Sequence, residues 1–186
     1  MSVRKAQIMS LSGGKTSSIS KDELTASFRK YLKNGVHGIC FSSYEEGQKP
    51  GDILSADQIT KRIEIIKPYT KWVRTFSCTE GNELIPAIAQ QHGLKVMVGA
   101  WLSDDKALNE KEITNLIEVA KAGHADLVAV GNEVLYRKEL TEEELLGYIN
   151  RVKAALPDHE VGYVDAYYEF RDRPAITDAC DVIFAN

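Results

Sequence analysis

The stretch Asp126-Leu127-Val128-Ala129-Val130-Gly131-Asn132-Glu133-Val134 decides the reading of the fold. Leu127 to Val130 is continuously apolar, without the alternation expected of a strand that turns one face to water. That is the pattern of a parallel strand covered on both faces. The run ends in Gly131-Asn132, and a carboxylate, Glu133, follows at once. A helical segment stops at Gly123 just before it, and Thr141-Glu142-Glu143-Glu144 opens another as a capping box just after it.

Working outward, the same unit recurs. Further strands are expected at Gly38-Ile39-Cys40-Phe41, Trp72 to Phe76, Lys95 to Ala100, Glu160 to Val164 and Asp181 to Ala185. Ser55-Ala56-Asp57-Gln58 caps one intervening helix, and Asn109 followed by Glu112 reads as a weaker start signal of the same kind. Apolar stripes at helical spacing follow: Ile59, Ile63, Ile66; Ile113, Leu116, Ile117, Ala120; and Leu145, Tyr148, Ile149, Val152. Leu24, Phe28, Tyr31 and Leu32 mark an earlier helix closed by Asn34-Gly35, and Leu84, Ile85, Ile88 and Ala89 mark one closed by His92-Gly93.

Strand starts at Gly38, Trp72, Lys95, Asp126, Glu160 and Asp181 advance by 34, 23, 31, 34 and 21 residues. This matches the ~31 residues per unit of a (β/α)8 barrel of about 250 residues. A doubly wound open sheet has similar periods, so spacing alone leaves both open. A barrel closes on eight strands and six are legible, so the expectation is an incomplete TIM-type barrel, truncated after its sixth strand.

The 186 residues are 44% hydrophobic and 27% charged, the composition of an ordinary globular domain rather than a disordered or collagen-like chain. With 23 basic and 27 acidic residues interspersed, the net charge of −4 argues against nucleic-acid and anionic-membrane partners. No apolar run approaches the ~20 residues of a membrane span, and no secretory signal is seen, so the expected location is cytoplasmic. Cys40, Cys78 and Cys180 are odd in number and widely spaced, so neither a disulfide framework nor a metal knuckle is read from them. No cofactor is implied.

His37, His92, His124 and His159 all precede strands, at the end of a barrel associated with stability. The chemistry-bearing groups collect at the opposite, C-terminal ends. Glu133 follows the fourth strand, Asp104 and Asp105 the third, and Asp165 the fifth; helix capping accounts most simply for Asp104 and Asp105. Tyr44, Trp101, Tyr167 and Tyr168 fall on the same side, and flat rings beside carboxylates suit a carbohydrate cleft. Arg74, on the second strand, either orients neighbouring carboxylates or forms a structural ion pair. Trp72, at the beginning of its strand, reads as core.

A second pattern lies near the N-terminus. Ser12-Gly13-Gly14-Lys15-Thr16-Ser17 follows a short strand candidate, Gln7-Ile8-Met9, and looks like the Ser-Gly-Gly-x-[Asp/Thr]-Ser pyrophosphate loop of ATP α-hydrolase-type enzymes. Its backbone N–H groups would cradle phosphate. The other reading is a flexible Gly/Ser segment.

From Gly35 to Asn186 the chain resembles glycoside hydrolase family 17, the β-1,3-glucanase family, and especially its bacterial members. The matching stretches are Gly38-Ile39-Cys40-Phe41 with Tyr44, Val73-Arg74-Thr75-Phe76-Ser77, Val128 to Val134, and Ile183-Phe184-Ala185-Asn186. The resemblance implies a (β/α)8 barrel with its general acid/base after strand four and its nucleophile after strand seven. Glu133 takes the acid/base position. Asn132 matches an adjacent asparagine that meets the sugar 2-hydroxyl or the nucleophile in related barrels, and Tyr44, Trp101, Arg74, Asp165 and Asn186 are expected around the substrate. The nucleophile has no counterpart in these 186 residues, so the chain by itself is expected to turn over slowly or not at all. Residues 1–34 form an N-terminal segment with one helix outside the resemblance, and 35–186 a partial barrel domain.

The implied function is a retaining glycosidase of β-1,3-glucan or its oligosaccharides. A non-catalytic carbohydrate-binding or assembly role, and a nucleotide-dependent enzyme through Ser12-Gly13-Gly14, remain as alternatives. Open sheet edges are expected to favour self-association.

Overall fold

In the computed structural model, which describes residues 19–186, each apolar run becomes a strand. These are β1 (Val36–Cys40), β2 (Thr70–Arg74), β3 (Lys95–Ala100), β4 (Leu127–Asn132), β5 (Val161–Asp165) and β6 (Val182–Ala185). Between and before them run α1 (Lys21–Asn34), α2 (Ala56–Ile66), α3 (Ile85–Gln91), α4 (Lys106–Lys121), α5 (Glu142–Ala155), α6 (Tyr167–Asp172) and α7 (Pro174–Ala179). The Gln7-Ile8-Met9 strand and the Ser12-Gly13-Gly14 loop lie outside the described residues.

Strand order settles what spacing left open. The sheet runs β1-β2-β3-β4-β5-β6, and every neighbouring pair is parallel. A doubly wound sheet reverses its order at a switch point. Here the chain advances one strand at a time in a single direction, as in a (β/α)8 barrel, and the product is a curled partial barrel. The outer edges of β1 and β6 have no strand partner among the described residues.

The two faces of the sheet are covered unequally. Val73, Val96, Val98, Val128, Val130, Val161 and Tyr163 point outward and join the helix residues Ile59, Ile63, Ile113, Leu116, Leu145, Ile149 and Val152 in the main core. A fully buried side chain of this size contributes about 1.5–3 kcal/mol. The inner face carries a smaller cluster of Met97, Ala129 and Val164, with Leu127 and Phe184 packed against it.

The caps work as their residues dictate. Ser55 caps α2 by accepting from the Gln58 N–H, and Thr141 and Glu144 close a full capping box on α5. Two expectations need correction. Helix α4 does not begin at Asn109; Asp105 is its cap, and Asn109 and Glu112 are interior helix residues, both buried. Trp72 is not core: it alternates with outward Val73 and lies half-exposed on the inner face, where His37 stacks on it. The segment after β5, which carries no side-chain cap, folds into the short helices α6 and α7. Helix α1 forms as its stripe suggests, with Gly35 at its C-cap, yet none of its residues is buried. Among the described residues no helix is long and apolar enough to cross a membrane.

Candidate active site

The exit of β4 is shaped by a bulge. Ala129 pairs with Gly162, but Asn132 pairs with Val164, so β4 spends one more residue than β5 over the same interval. Gly131 takes up the slack at φ 88°, a conformation that costs glycine little. Two residues on, Glu133 itself lies at φ 54°. A non-glycine residue there costs on the order of 1–2 kcal/mol, which the surroundings must offset. They do so through the Glu133 N–H, which donates to the Val164 carbonyl at 2.7 Å, and the Glu133 carbonyl, which accepts from the Arg137 N–H at 2.8 Å. The backbone thus turns Glu133 toward the strand exits, where its Oε1 accepts from Asn186 Nδ2 at 2.7 Å.

Asn132 is held from both sides. Its Oδ1 accepts from the Arg74 guanidinium at the end of β2, and its carbonyl accepts from Arg137. Arg74 also lies over the Phe76 ring, 4.6 Å from its centroid. Arg137 reaches further: it donates to the Leu102 carbonyl at 2.8 Å, pairs with Glu139 at 2.6 Å, and covers the Trp101 ring at 4.4 Å. One guanidinium therefore connects the exits of β3 and β4.

Asp165 sits at the end of β5, as its position indicates, but its carboxylate does not face the mouth. It is fully buried, accepting from the Tyr163 hydroxyl, from the Ala166 N–H at 2.7 Å and from the Tyr136 N–H at 3.3 Å. The Tyr163 hydroxyl in turn accepts from the Leu135 N–H at 3.0 Å. Burial, followed by the neighbouring Asp165, pushes the Tyr163 phenol far above its usual range, so it stays a donor. The pair ties the loop after β4 to β5, and the expected substrate contact by Asp165 gives way to this internal role.

Beside these groups, at the exits of β1, β2 and β3, opens a cleft of about 640 Å³. That lies within the range of small-ligand sites. Tyr44, Phe76 and Trp101 supply aromatic walls, and Ser77, Thr79 and Glu112 supply polar ones. Glu133 and Asn132 do not line it; Arg137, stacked on Trp101 and bonded to Asn132, bridges the two. The histidines lie at the other end of the sheet. His37 is near the start of β1, His92 caps the end of α3, His124 precedes β4 and bonds Gln90 at 2.9 Å, and His159 precedes β5.

Known proteins share both sequence and strand arrangement with this chain. A family model described as the BtgE/BtgC glycoside hydrolase domain matches residues 38–186. The chain belongs to that family. Curated relatives agree: the glucan 1,3-beta-glucosidase BGL2 of Candida albicans is 30% identical over 142 residues, covering 67% of this chain and 46% of the relative. The glucan 1,3-beta-glucosidase of Saccharomyces cerevisiae is 27% identical over 157 residues, covering 73% of this chain and 49% of the relative. Among solved structures, the glycoside hydrolase family 17 beta-1,3-glucanosyltransferase of Rhizomucor miehei superposes with a TM-score of 0.69 at 26% identity. It covers 83% of this chain and 57% of that one. The family 17 assignment and the incomplete-barrel fold therefore hold. The chain spans about half the length of the curated relatives it matches.

Within this family frame, sequence reasoning missed Glu112, Arg137 and Tyr163. Glu112 meets its partners only through the pairing of neighbouring strands, while Arg137 and Tyr163 combine partners close in the chain with others brought in by the fold. Arg137 left the one usable trace: a cation four residues after the glutamate of a strand exit, in a loop that must fold back over it.

Proposed function

We propose that this chain carries the acid/base side of a retaining glycosidase site acting on β-1,3-glucan. The observation that supports it most is Glu133, turned toward the strand exits by a bulged, left-handed backbone and joined through Asn132 and Arg137 to an aromatic cleft. The names of the relatives support the linkage, and a Rhizomucor miehei active-site mutant has been solved in complex with laminaritriose.

In this reading the Glu133 carboxylic acid gives its proton to the glycosidic oxygen as the bond to C1 breaks. A second carboxylate, ~5–5.5 Å away, attacks C1 and holds the sugar covalently. Glu133, now ionised, then removes a proton from the incoming group as that group's oxygen bonds to C1 and displaces the second carboxylate, so that both carboxyl groups return to their starting forms. If that group is water the result is hydrolysis; if it is a sugar hydroxyl, transfer. The second carboxylate is not Asp165, which belongs to the adjacent strand and is saturated by its own donors. By the resemblance to family 17 it would follow a seventh strand. Asn132, fixed by Arg74, stands beside Glu133 to meet a sugar hydroxyl or the attacking carboxylate.

The test is a calorimetric titration of the chain with laminaritriose, with cellotriose as the linkage control. Binding of laminaritriose, weakened by Trp101→Ala, is the expected result. Absence of any heat with laminaritriose, or equal affinity for cellotriose, would overturn the reading.

A further inference from the structure

Glu112 is the most deeply buried carboxylate on the helical layer, on α4 and 1% exposed. A carboxylate there is expensive to keep, and no cation is among the groups that act on it. Its retention is explained by four donors. Oε1 accepts from the Ser77 hydroxyl at 2.5 Å and the Thr79 hydroxyl at 2.7 Å. Oε2 accepts from the backbone N–H of Cys78 at 2.7 Å and of Trp101 at 3.1 Å. One side chain thereby joins the exit of β2 to the exit of β3. Asn115, three residues along α4, donates to the Cys78 carbonyl at 2.7 Å, so the same helix grips both ends of that residue's backbone.

The partners of Glu112 are not scattered. Ser77, Thr79 and Trp101 all border the 640 Å³ cleft, as does Glu112 itself. Arg137 already covers one face of the Trp101 ring, so the backbone anchor by Glu112 and the ring contact by Arg137 leave this tryptophan little freedom.

We propose that Glu112 is a positioning residue for the cleft: its carboxylate fixes Trp101 and the Ser77-Cys78-Thr79 wall relative to each other, and so shapes the surface that a glucan chain meets. The proposal rests on the sugar-cleft reading given above. Its chemistry makes a sharp distinction between two substitutions. Glutamine keeps an oxygen for the two backbone N–H groups and turns its amide toward Ser77 and Thr79, whose hydroxyls rotate to accept. Glu112→Gln therefore preserves all four contacts. Glu112→Leu has similar bulk but leaves two buried N–H groups and two hydroxyls without their acceptor.

The experiment uses the whole chain with Trp72→Phe, which leaves Trp101 as the sole tryptophan reporter because the sequence has 2. Trp101 emission and laminaritriose affinity are measured for the parent, Glu112→Gln and Glu112→Leu. Expected are parent-like values for glutamine, and for leucine a red-shifted emission with affinity reduced about tenfold or more. Leucine with unchanged emission and affinity would overturn the positioning role while leaving the sugar reading intact. A parent that ignores laminaritriose, with leucine still shifting Trp101, would sink the sugar reading and support the positioning role. Should the leucine variant fail to fold, Glu112→Asp keeps the charge but withdraws it by one methylene. Faster hydrogen exchange confined to the Cys78 and Trp101 amides would then support the role, and unchanged exchange there would reject it.

Discussion

Asn186 at the exit of β6 donates its side-chain amide to Glu133 at the exit of β4, 2.7 Å away, while its own backbone N–H donates to the Asp165 carbonyl at 2.9 Å. One residue thus spans three consecutive strand ends, and Glu133 is held by the strand two places along as well as by its own loop.

The backbone, not this amide, sets the direction of Glu133. Asn186→Ala removes an exposed hydrogen bond and is expected to cost no more than about 1 kcal/mol in thermal unfolding. The Glu133 N–H, bonded to Val164, should keep its protection from hydrogen exchange in that variant. Loss of protection there would mean that Asn186 supports the bulge itself.

The Tyr163–Asp165 pair gives a larger expected effect. Tyr163→Phe keeps the ring in the core but removes the hydroxyl that accepts from Leu135 and donates to Asp165. Two buried polar groups lose a partner, so stability should fall by about 1–3 kcal/mol. Denaturant unfolding measures the loss, and exchange at Leu135 and Tyr136 locates it. A change below about 0.5 kcal/mol would show that the loop after β4 does not depend on this anchor.

Much of this was legible before the fold was known, for a local reason. The β4 run, the cap at Asp105 and the position of Glu133 each depend on residues adjacent in the chain, and the fold shows all three. Glu112 shows where local reading stops. Beside Asn109 it looked like the start of a helix, because a polar pair three residues apart is the ordinary form of a cap. Its real partners are Ser77, 35 residues earlier, and Trp101, 11 residues earlier, brought together only by the pairing of β2 with β3. Asp165 misled in the opposite way: strand-end placement was right, but the Tyr163 hydroxyl two residues back claims the carboxylate. Trp72 looked like core because its ring is large and its strand apolar, whereas alternation puts it on the inner face, which six strands cover only in part.

The attachment of β6 carries a pH dependence. Asp181 accepts from Lys153 Nζ at 2.7 Å and from the Val161 N–H at 3.1 Å, and these bonds, the lysine's first, hold its carboxyl below the usual aspartate range. A depressed folded-state value stabilises above the unfolded one, near pH 4, and the contribution fades as pH falls through the lower folded value. The side chain is 38% exposed, so screening limits the effect to about 1 kcal/mol or less. Asp181→Asn should therefore lower the melting temperature slightly at pH 7 and converge with the parent toward pH 3. A difference that persists undiminished in acid would assign the loss to packing instead.

The chemical role of Glu133 is tested best where both carboxylates are present. Extended through two further βα units, the protein should cleave laminarin-type β-1,3-glucan with retention of anomeric configuration. Glu133→Gln keeps the shape and the Asn186 contact side but has no proton to give, and general acid/base assistance is typically worth about 10²–10⁴-fold. Turnover of glucan should fall by that factor. An aryl glycoside whose leaving group needs no proton should lose less in its first step, because only the departure of a poor leaving group requires the acid. Its second step should still suffer, since water must lose a proton to Glu133. The 186-residue chain on its own should show almost no turnover, because Asp165, the carboxylate at the neighbouring strand exit, is buried in its own hydrogen bonds. Efficient cleavage of laminarin by the short chain, unaffected by Glu133→Gln, would remove Glu133 from the reaction and send the search to a different carboxylate.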